Sequence, residues 1–358
     1  MKHFLSVVAG LLIFQSAHAQ IVITASDMPV SGDMLSYSNA PITGTGINPG
    51  DSGANMTWNY TLSPTSQGVD TYKTAYQVNL AYALTIPLSA FGYKVADSIP
   101  GLSMIPGGGL SVTNIYTFFQ ETTTPGAEYI AMADGYIVNH ALPVASKYTN
   151  PDVWYFFPLT YGNNTDSADY LLHMGLTGTN SIKQAGYRKT RVDGWGTITT
   201  PYFTTPVNCI RVRSEIHEID SITLTAFTFG IPRNTVEYKW LVNGEHYPAL
   251  WVTSNVTGGT ETITTVRYRD TLQGAGIVNE KLAIYEITAF PNPAANGIVT
   301  LGLPADWKTF QVEVFDIQSK QVAAFNNERE INIRSLSAGR YFVRITSGSK
   351  VGYAMVTR

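Results

Sequence analysis

Apolar and polar residues alternate with a period of two along much of this chain. Ile222–Phe229 alternates apolar residues with threonine for most of its length, and Gln311–Asp316 shows a similar alternation. A period of two is typical of strands that bury one face. Residues 20–270 show no helical period of useful length, although a short helix is predicted at Ser167–Met174. The pattern therefore predicts an all-β protein.

Turn-forming residues separate the strand segments between residues 20 and 270. Asn243-Gly244 predicts a type I′ hairpin between Lys239–Val242 and Glu245–Tyr247, because these two residues tolerate the positive φ that this turn requires. Strands and turns at this density predict one large antiparallel domain over 20–270. We expect either a β-sandwich or a strongly curved open sheet.

The C-terminal segment, residues 284–358, predicts a second and smaller unit. Short strand-like runs occur at Gly297–Leu301, Gln311–Asp316 and Tyr341–Ile345, with turn residues between them. This spacing predicts a small immunoglobulin-like β-sandwich. A glycine-rich stretch just ahead of it places a linker at 271–283.

The N-terminus predicts a secretory signal peptide over residues 1–19. Lys2 supplies the positive start, Phe4–Phe14 is almost entirely apolar, and Ala17-His18-Ala19 forms a small-x-small cleavage site. We expect the mature chain to begin at Gln20. No later segment is apolar over about 18 residues, so we expect no membrane span.

Composition narrows the classes of function. Charged residues are 14% of the chain and the net charge is -3, so the basic surface needed for nucleic-acid binding is not expected. The single cysteine, Cys209, excludes an intramolecular disulfide. It lies at the entry to a predicted strand, where we expect a buried and unreactive thiol.

Four aromatic residues of the middle region are candidates for ligand binding. Trp154 and Tyr155 open an aromatic run, Trp195 lies between glycines, and Trp240 precedes the predicted hairpin. Aromatic faces stack well on sugars and peptides, which favours a binding groove. Tryptophans flanked by strand residues also commonly fill cores. Both interpretations remain open at this point.

The sequence assigns no catalytic residue, no metal ligand and no cofactor. It lacks the serine-hydrolase, phosphate-loop and HExxH motifs. The oxygen-rich segment Asn163–Asp169 lacks the residue order of a calcium loop. The charged run Arg211–Asp220 predicts a solvated sheet face with cross-strand ion pairs.

Three functional hypotheses remain for the middle region. The first is a non-catalytic binding module for a carbohydrate, a peptide or another envelope component. The second is a secreted glycan hydrolase that uses a pair of carboxylates, either Glu121 with Asp134 or Glu215 with Glu218. The third is a structural cargo or adhesin without a small ligand.

The C-terminal motifs resemble a known family. A Pro-Asn-Pro turn, a Val-Phe-Asp strand end followed by a lysine, and a Gly-Arg-Tyr-Phe strand occur in order across the segment. Together they resemble the type A C-terminal sorting domain of the type IX secretion system of Bacteroidota. Ser319 stands where that family usually has glycine. The residues that match its motifs are Pro291, Asn292, Pro293, Asp316, Lys320, Leu336, Gly339 and Tyr341.

The resemblance implies a route and a partner. It implies that the type IX secretion machinery recognises this segment, and that the protein crosses the periplasm to be secreted or held on the outer surface. Several middle segments also resemble uncharacterised exported proteins that share the sorting tail, and this second resemblance carries no activity.

Overall fold

The computed structural model describes residues 20–99, 110–123, 126–140, 142–176, 178–224, 227–271, 283–317, 320–348 and 350–358. The predicted leader and most of the predicted linker lie outside these ranges. Within them, the helical segments are α1 (Ala75–Val78) and 3₁₀ turns at Ala25–Asp27 and Tyr82–Leu84. The remaining regular structure is β-strand, which confirms the predicted all-β fold.

Fourteen strands of the described residues form one large sheet. In chain order they are β1 (Met34–Ala40), β2 (Gly53–Asn59), β3 (Ser66–Thr71), β4 (Lys73–Thr74), β5 (Phe91–Ser98), β6 (Val112–Thr122), β7 (Glu128–Val138), β8 (Leu142–Phe156), β9 (Asp166–Gly175), β10 (Ser181–Thr199), β11 (Val207–Leu224), β12 (Phe227–Leu241), β13 (Leu250–Thr257) and β14 (Thr260–Arg269).

This sheet is rolled so that its two ends meet. Its strand order is β3-β1-β14-β13-β12-β11-β10-β9-β8-β7-β6-β5-β4, so β3 and β4 are the end strands. Tyr72 alone separates these two strands along the chain. The roll encloses a core in which Leu35 of β1 and Val212 of β11 belong to the same cluster as Phe119 and Tyr129 of β6 and β7. The curved-sheet form of the prediction is therefore the one observed.

β2 is added beside the second half of β10 as a parallel strand, whereas the first half of β10 pairs with β9. Glycines make this close approach possible. A Cβ atom at Gly196 would lie 1.9 Å from the Met56 carbonyl oxygen, and one at Gly194 would lie 3.1 Å from the Trp58 ring. These glycines therefore accommodate β2 and its tryptophan.

Two local predictions were wrong. The segment predicted as a helix, Ser167–Met174, lies in β9, where Tyr170 and the two apolar residues that follow at alternate positions are buried. Asn243-Gly244 does not close a two-residue hairpin, because Trp240 pairs with Leu250. Only Gly244 of the pair has a positive φ, of 74°. The Asn243 side chain instead donates a hydrogen bond to the Val22 carbonyl over 2.8 Å.

A row of four buried charges ties β8, β10 and β12 together inside the roll. Arg188 donates two hydrogen bonds of 2.8 Å to the Asp152 carboxylate and one of 3.0 Å to Glu237. Lys239 donates another to Glu237 over 3.1 Å. Burial acts to raise the pKa of Glu237, but Lys239 and Arg188 outweigh burial and hold it below its ordinary value. Two positive and two negative groups therefore neutralise each other.

A second buried ion pair corrects the prediction for the charged run of β11. Arg211 is 1% exposed and donates two hydrogen bonds of 2.8 Å to Asp193. Its guanidinium also lies 5.6 Å from the centre of the Trp240 ring. β2 and the chain after it cover this part of the sheet, so the start of the run is buried, while Glu218 and Arg233 pair farther along. Cys209 is buried nearby, as predicted, and burial raises the pKa of its thiol.

The C-terminal residues form two further sheets that pack as a small sandwich, as predicted. One sheet has the order β15-β22-β21-β18-β19 and the other β16-β17-β20. Residues from both, including Val299, Val314 and Val343, share one buried cluster with Trp307 of the connection between them. The strands are β15 (Ala283–Glu286), β16 (Thr288–Phe290), β17 (Ile298–Gly302), β18 (Gln311–Phe315), β19 (Gln321–Asn326), β20 (Glu330–Asn332), β21 (Arg340–Ser347) and β22 (Lys350–Thr357).

No strand of the C-terminal sandwich pairs with the large sheet among the described residues. The two units meet instead through side chains. Tyr76 of α1 packs on Tyr353 of β22, with ring centres 3.6 Å apart, and Phe315 and Phe342 belong to the same cluster. An apolar contact therefore joins two separately hydrogen-bonded units.

Asp134 of β7 should make stability depend on pH. It is buried, its Oδ1 has no hydrogen-bond partner among the described residues, and burial raises its pKa to about 7. The pKa of Asp134 is higher in the folded protein than in the unfolded chain. The contribution of its neutral carboxyl group to the free energy of unfolding is therefore lost as pH rises toward and through 7. We expect Asp134→Asn to increase the free energy of unfolding by up to about 4 kcal/mol above pH 7.5, and by about 1 kcal/mol at pH 4.5.

Urea denaturation at the two pH values measures this difference. Asp97→Asn is the matched control, because the Asp97 side chain is 92% exposed. An equal effect of Asp134→Asn at both pH values would contradict the expectation.

Removing Arg188 should destabilise the fold strongly, because Asp152 would lose its partner in the interior. We expect Arg188→Met to lower the free energy of unfolding by about 3–5 kcal/mol. Lys94→Met, which breaks an exposed pair with Asp97, should cost under about 1 kcal/mol. Chemical denaturation of both variants tests the contrast, and similar losses would show that the buried row has no special role.

Candidate functional site

The four aromatic residues singled out by sequence do not form one groove. Trp240 is fully buried in the cluster that contains Trp58, and its ring meets that of Trp58 edge-on at 5.8 Å. Trp154, Tyr155 and Trp195 pack with a different core cluster, inside the roll. Trp240 therefore serves the core in this structure, and Trp154 with Tyr155 borders a small interior cavity.

The structure does not bring the two proposed carboxylate pairs together. Glu215 and Glu218 are three residues apart on an unbroken part of β11, so their side chains lie on opposite faces of the strand. Glu121 is four positions along β6 from the residue that faces Asp134, a separation of roughly 13 Å along the strand. Glu121 lies instead near His246, which counteracts the rise in its pKa caused by burial.

An open cavity lies where the ends of the rolled sheet fail to pair. Close to Tyr72 the roll is closed, because β3 continues through this residue into β4, and β4 pairs with β5. Farther along, no hydrogen-bonded pairing joins β3 to β5 among the described residues, and the register of β5 shifts between Lys94 and Ala96. The resulting cavity of about 330 Å³ is named here the seam cleft. Bulges of this kind commonly occur beside functional sites.

β13 and β14 form the floor of the seam cleft. Trp251 faces Arg267 in the register between these strands, and Thr253 faces Thr265. Residues two apart on a strand share a face, so all four side chains line the same cavity. The floor therefore combines an indole ring, a guanidinium group and two hydroxyl groups.

Arg267 is the central charged group of the seam cleft. Its guanidinium carbon lies 3.9 Å from the centre of the Tyr37 ring, and its Nη1 donates a hydrogen bond of 3.3 Å to Asp70. No described residue accepts a hydrogen bond from its Nε or Nη2, which leaves donors for a ligand. Gly68 makes room for the Tyr37 ring, because a Cβ there would lie 2.5 Å from the Tyr37 hydroxyl.

Asp70 supplies the matching negative charge at the base of the cleft. Burial raises its pKa to about 6, against the opposing effects of Arg267 and a hydrogen bond from Tyr247. The carboxylate is therefore ionised at pH 7, although less completely than an exposed one. At the rim, Lys94 pairs with Asp97 over 2.5 Å. Positive and negative groups balance in the cleft, which suits a neutral ligand that offers hydroxyl groups.

Sequence reasoning missed this site because its residues come from distant segments. Tyr37 and Asp70 lie near the N-terminus, whereas Trp251 and Arg267 lie about 200 residues later. Only the alternation of aromatic, hydroxyl and charged residues on β13 and β14 gave a local signal, and it did not show which strands would face them. Within the described part of the chain, no group of three or more His, Cys, Asp or Glu side chains is arranged to hold a metal ion.

In the C-terminal sandwich, the Pro-Asn-Pro turn holds the last strand. Asn292 donates a hydrogen bond of 2.7 Å to the Met355 carbonyl and accepts one of 2.9 Å from the Thr357 amide. Pro291 and Pro293 flank this side chain and are exposed. The motif therefore joins the entry of the sandwich to its final residues.

Three other motif residues meet the same end of the chain. Gly339 exchanges two backbone hydrogen bonds, of 2.8 and 2.9 Å, with Arg358. The Leu336 carbonyl accepts a hydrogen bond from the Arg358 side chain. Tyr341 pairs with Val356 of β22, and its hydroxyl donates a hydrogen bond of 2.7 Å to the Ser337 carbonyl. These matched positions thus converge on the terminal strand.

Asp316 and Lys320 lie at a different turn, between β18 and β19. The Lys320 amide donates a hydrogen bond of 3.0 Å to the Asp316 carboxylate, and the two residues also pair through their backbones. The motif at this position therefore shapes a hairpin. Ser319, the departure from the family, lies outside the described residues.

Comparison with known proteins identifies only the C-terminal unit. No curated protein and no solved structure gives a significant match to the chain. No helix among the described residues is long and apolar enough to cross a membrane. Residues 288–355 match the family model of the secretion system C-terminal sorting domain. The C-terminal unit is therefore a sorting domain of the type IX secretion system, which marks the protein for export to the cell surface or the medium.

Proposed function

We propose that this protein is an exported, non-catalytic binding module whose seam cleft takes a neutral saccharide. The observation that carries the proposal is the group formed by Arg267, Asp70 and the rings of Tyr37 and Trp251 in one open cavity. We also propose domain boundaries near residues 270 and 284, between the large sheet and the two sheets of the C-terminal sandwich.

The chemistry of the cleft supports a saccharide over other ligands. Sugars present apolar C–H faces to aromatic rings and hydroxyl groups to charged side chains. Trp251 and Tyr93 supply aromatic surface, while Arg267 and Asp70 supply donors and acceptors held in place by each other. A volume of about 330 Å³ is at the lower end of ordinary small-molecule sites. A ligand with a large net charge would gain little, because the charged groups of the cleft are already paired.

Hydrolysis of a glycan at the same cleft is a second candidate function. The specific observation in its favour is that burial raises the pKa of Asp70 to about 6, as a general acid requires, while Asp97 lines the same cavity. Release of new reducing ends from a bound oligosaccharide would support this candidate over simple binding.

Removing the sorting domain should abolish export without unfolding the large sheet. We expect a chain that ends at Lys281 to accumulate in the periplasm of a host that has the type IX system. The reason is that the matched motifs, and the terminal strand that they hold, would be absent. Immunoblots of periplasm, surface and medium measure the distribution, and protease resistance of the retained chain reports its folding.

Asn292→Ala provides a finer version of this experiment, because it removes the two hydrogen bonds to β22 and keeps the rest of the domain. Normal appearance of the chain ending at Lys281 in the medium would contradict the assignment of the address to the C-terminal unit.

Saccharide binding should depend on the floor of the seam cleft. We expect Trp251→Ala to weaken binding of the best ligand by at least about tenfold, which corresponds to about 1.4 kcal/mol. Calorimetric titration of the mature chain with cellohexaose, maltohexaose and chitohexaose measures this, with polygalacturonate as an acidic comparison.

Tyr187→Ala is the matched control, since Tyr187 stacks on His217 and takes no part in the cleft. If none of the oligosaccharides binds, or if Trp251→Ala binds as well as the unaltered protein, the cleft is not the saccharide site.

A further inference from the structure

Trp251 separates the seam cleft from a second cavity inside the roll. This inner cavity has a volume of about 40 Å³, and Trp154, Tyr155 and Lys239 contribute to its wall. Trp251 and Tyr93 border both spaces. The position of the Trp251 ring therefore sets the shape of the seam cleft from behind.

The Lys239 ammonium lies between two tryptophan rings. It is 3.9 Å from the centre of the Trp154 ring and 4.1 Å from that of Trp251, and the residue is only 3% exposed. The two rings are nearly perpendicular, with centres 6.2 Å apart. Trp154 lies on β8 and Trp251 on β13, strands that are not neighbours in the sheet. The ammonium thus connects opposite walls of the roll through cation–π contacts.

The Trp251 side chain has few other directional contacts. Its Nε1 is buried and has no hydrogen-bond partner among the described residues. Arg267, on the cleft side, is farther away, with its guanidinium carbon 5.7 Å from the ring centre. The strongest directional interaction that the structure gives this ring is therefore the one with Lys239.

We propose that Lys239 is a positioning residue, whose positive charge holds the Trp251 ring in the orientation that the seam cleft needs to bind its ligand. The part of this inference that concerns ligand binding rests on the function proposed above. The support of the Trp251 ring by Lys239 can be tested without any ligand. Lys239 itself lies behind the ring and does not line the seam cleft.

The charged surroundings of Lys239 make this support sensitive to pH. Burial lowers the pKa of Lys239 to about 8, and Glu237, at 3.1 Å, acts in the opposite direction. Arg188 lowers the pKa further, and Asp152 raises it. The inner cavity is also bordered by Asp27, His246 and the tyrosines Tyr72, Tyr93, Tyr129, Tyr155 and Tyr247. The ammonium should therefore lose its proton just above neutrality, where other lysines remain charged.

Tryptophan fluorescence between pH 7 and 9.5 tests the support of the ring. We expect the emission of the unaltered protein to change with a midpoint near pH 8. Lys239→Met should show no such transition and should have the high-pH emission already at pH 7. Trp251→Phe should lose at least half of the amplitude, with the rest coming from Trp154.

Glu237→Gln keeps the side-chain size and removes the charge that favours the ammonium, so its midpoint should move to lower pH. Circular dichroism would show whether Lys239→Met folds. If it does not fold, the midpoint of Glu237→Gln still tests whether Lys239 supports the ring. A transition that persists in Lys239→Met, or that has the same midpoint in Glu237→Gln, would overturn the inference.

Binding experiments test the ligand part separately. For whichever of cellohexaose, maltohexaose or chitohexaose binds, we expect Lys239→Met to weaken affinity five- to tenfold at pH 7. The unaltered protein should lose a similar factor between pH 7 and 9. Unchanged affinity in Lys239→Met would overturn the positioning role and leave the saccharide site intact. If no oligosaccharide binds while the fluorescence transition is present, the saccharide function fails, and the inference about ligand binding fails with it.

Discussion

The closure of the large sheet by its own chain is the constraint on which the other features depend. Because Tyr72 alone connects the two end strands, the sheet has to curve until this one stretch of chain pairs with β1 through β3 and with β5 through β4. Curvature creates an interior, and the interior determines which side chains are buried together. It also leaves a gap wherever the end strands diverge, and that gap is the seam cleft.

The interior formed in this way contains charged groups as well as apolar side chains. Arg188, Asp152, Glu237 and Lys239 are all buried, and they are tolerable there because every charge has an opposite charge within hydrogen-bond distance. The same row ends at Lys239, directly behind the Trp251 ring. The groups that neutralise the interior are thus continuous with the wall of the candidate site, so the same residues stabilise the fold and support this wall.

The sequence allowed the fold class and the C-terminal address to be predicted, because both depend on local patterns. Period-two alternation predicted strands, and the residues from Pro291 to Tyr341 that suggested the address lie within the segment that the family model matches. Local signals failed where tertiary contacts decided the outcome. Ser167–Met174 became a strand because β8 and β10 lie on either side of it, and Asn243 bonds to the N-terminal segment rather than closing a hairpin. The seam cleft could not be predicted, since its residues meet only after the sheet has closed.

The hydrogen bonds between the sorting-domain motifs and the final strand affect where an epitope tag can be attached to this protein. Arg358 is bonded through its backbone to Gly339 and through its side chain to Leu336, so an epitope tag fused after it would pull on the region where the secretion motifs converge. The tight turn at Gly258-Gly259, exposed at the end of the β13–β14 hairpin, offers a better insertion point. A tag inserted there would report on the fate of the exported unit and leave the address undisturbed.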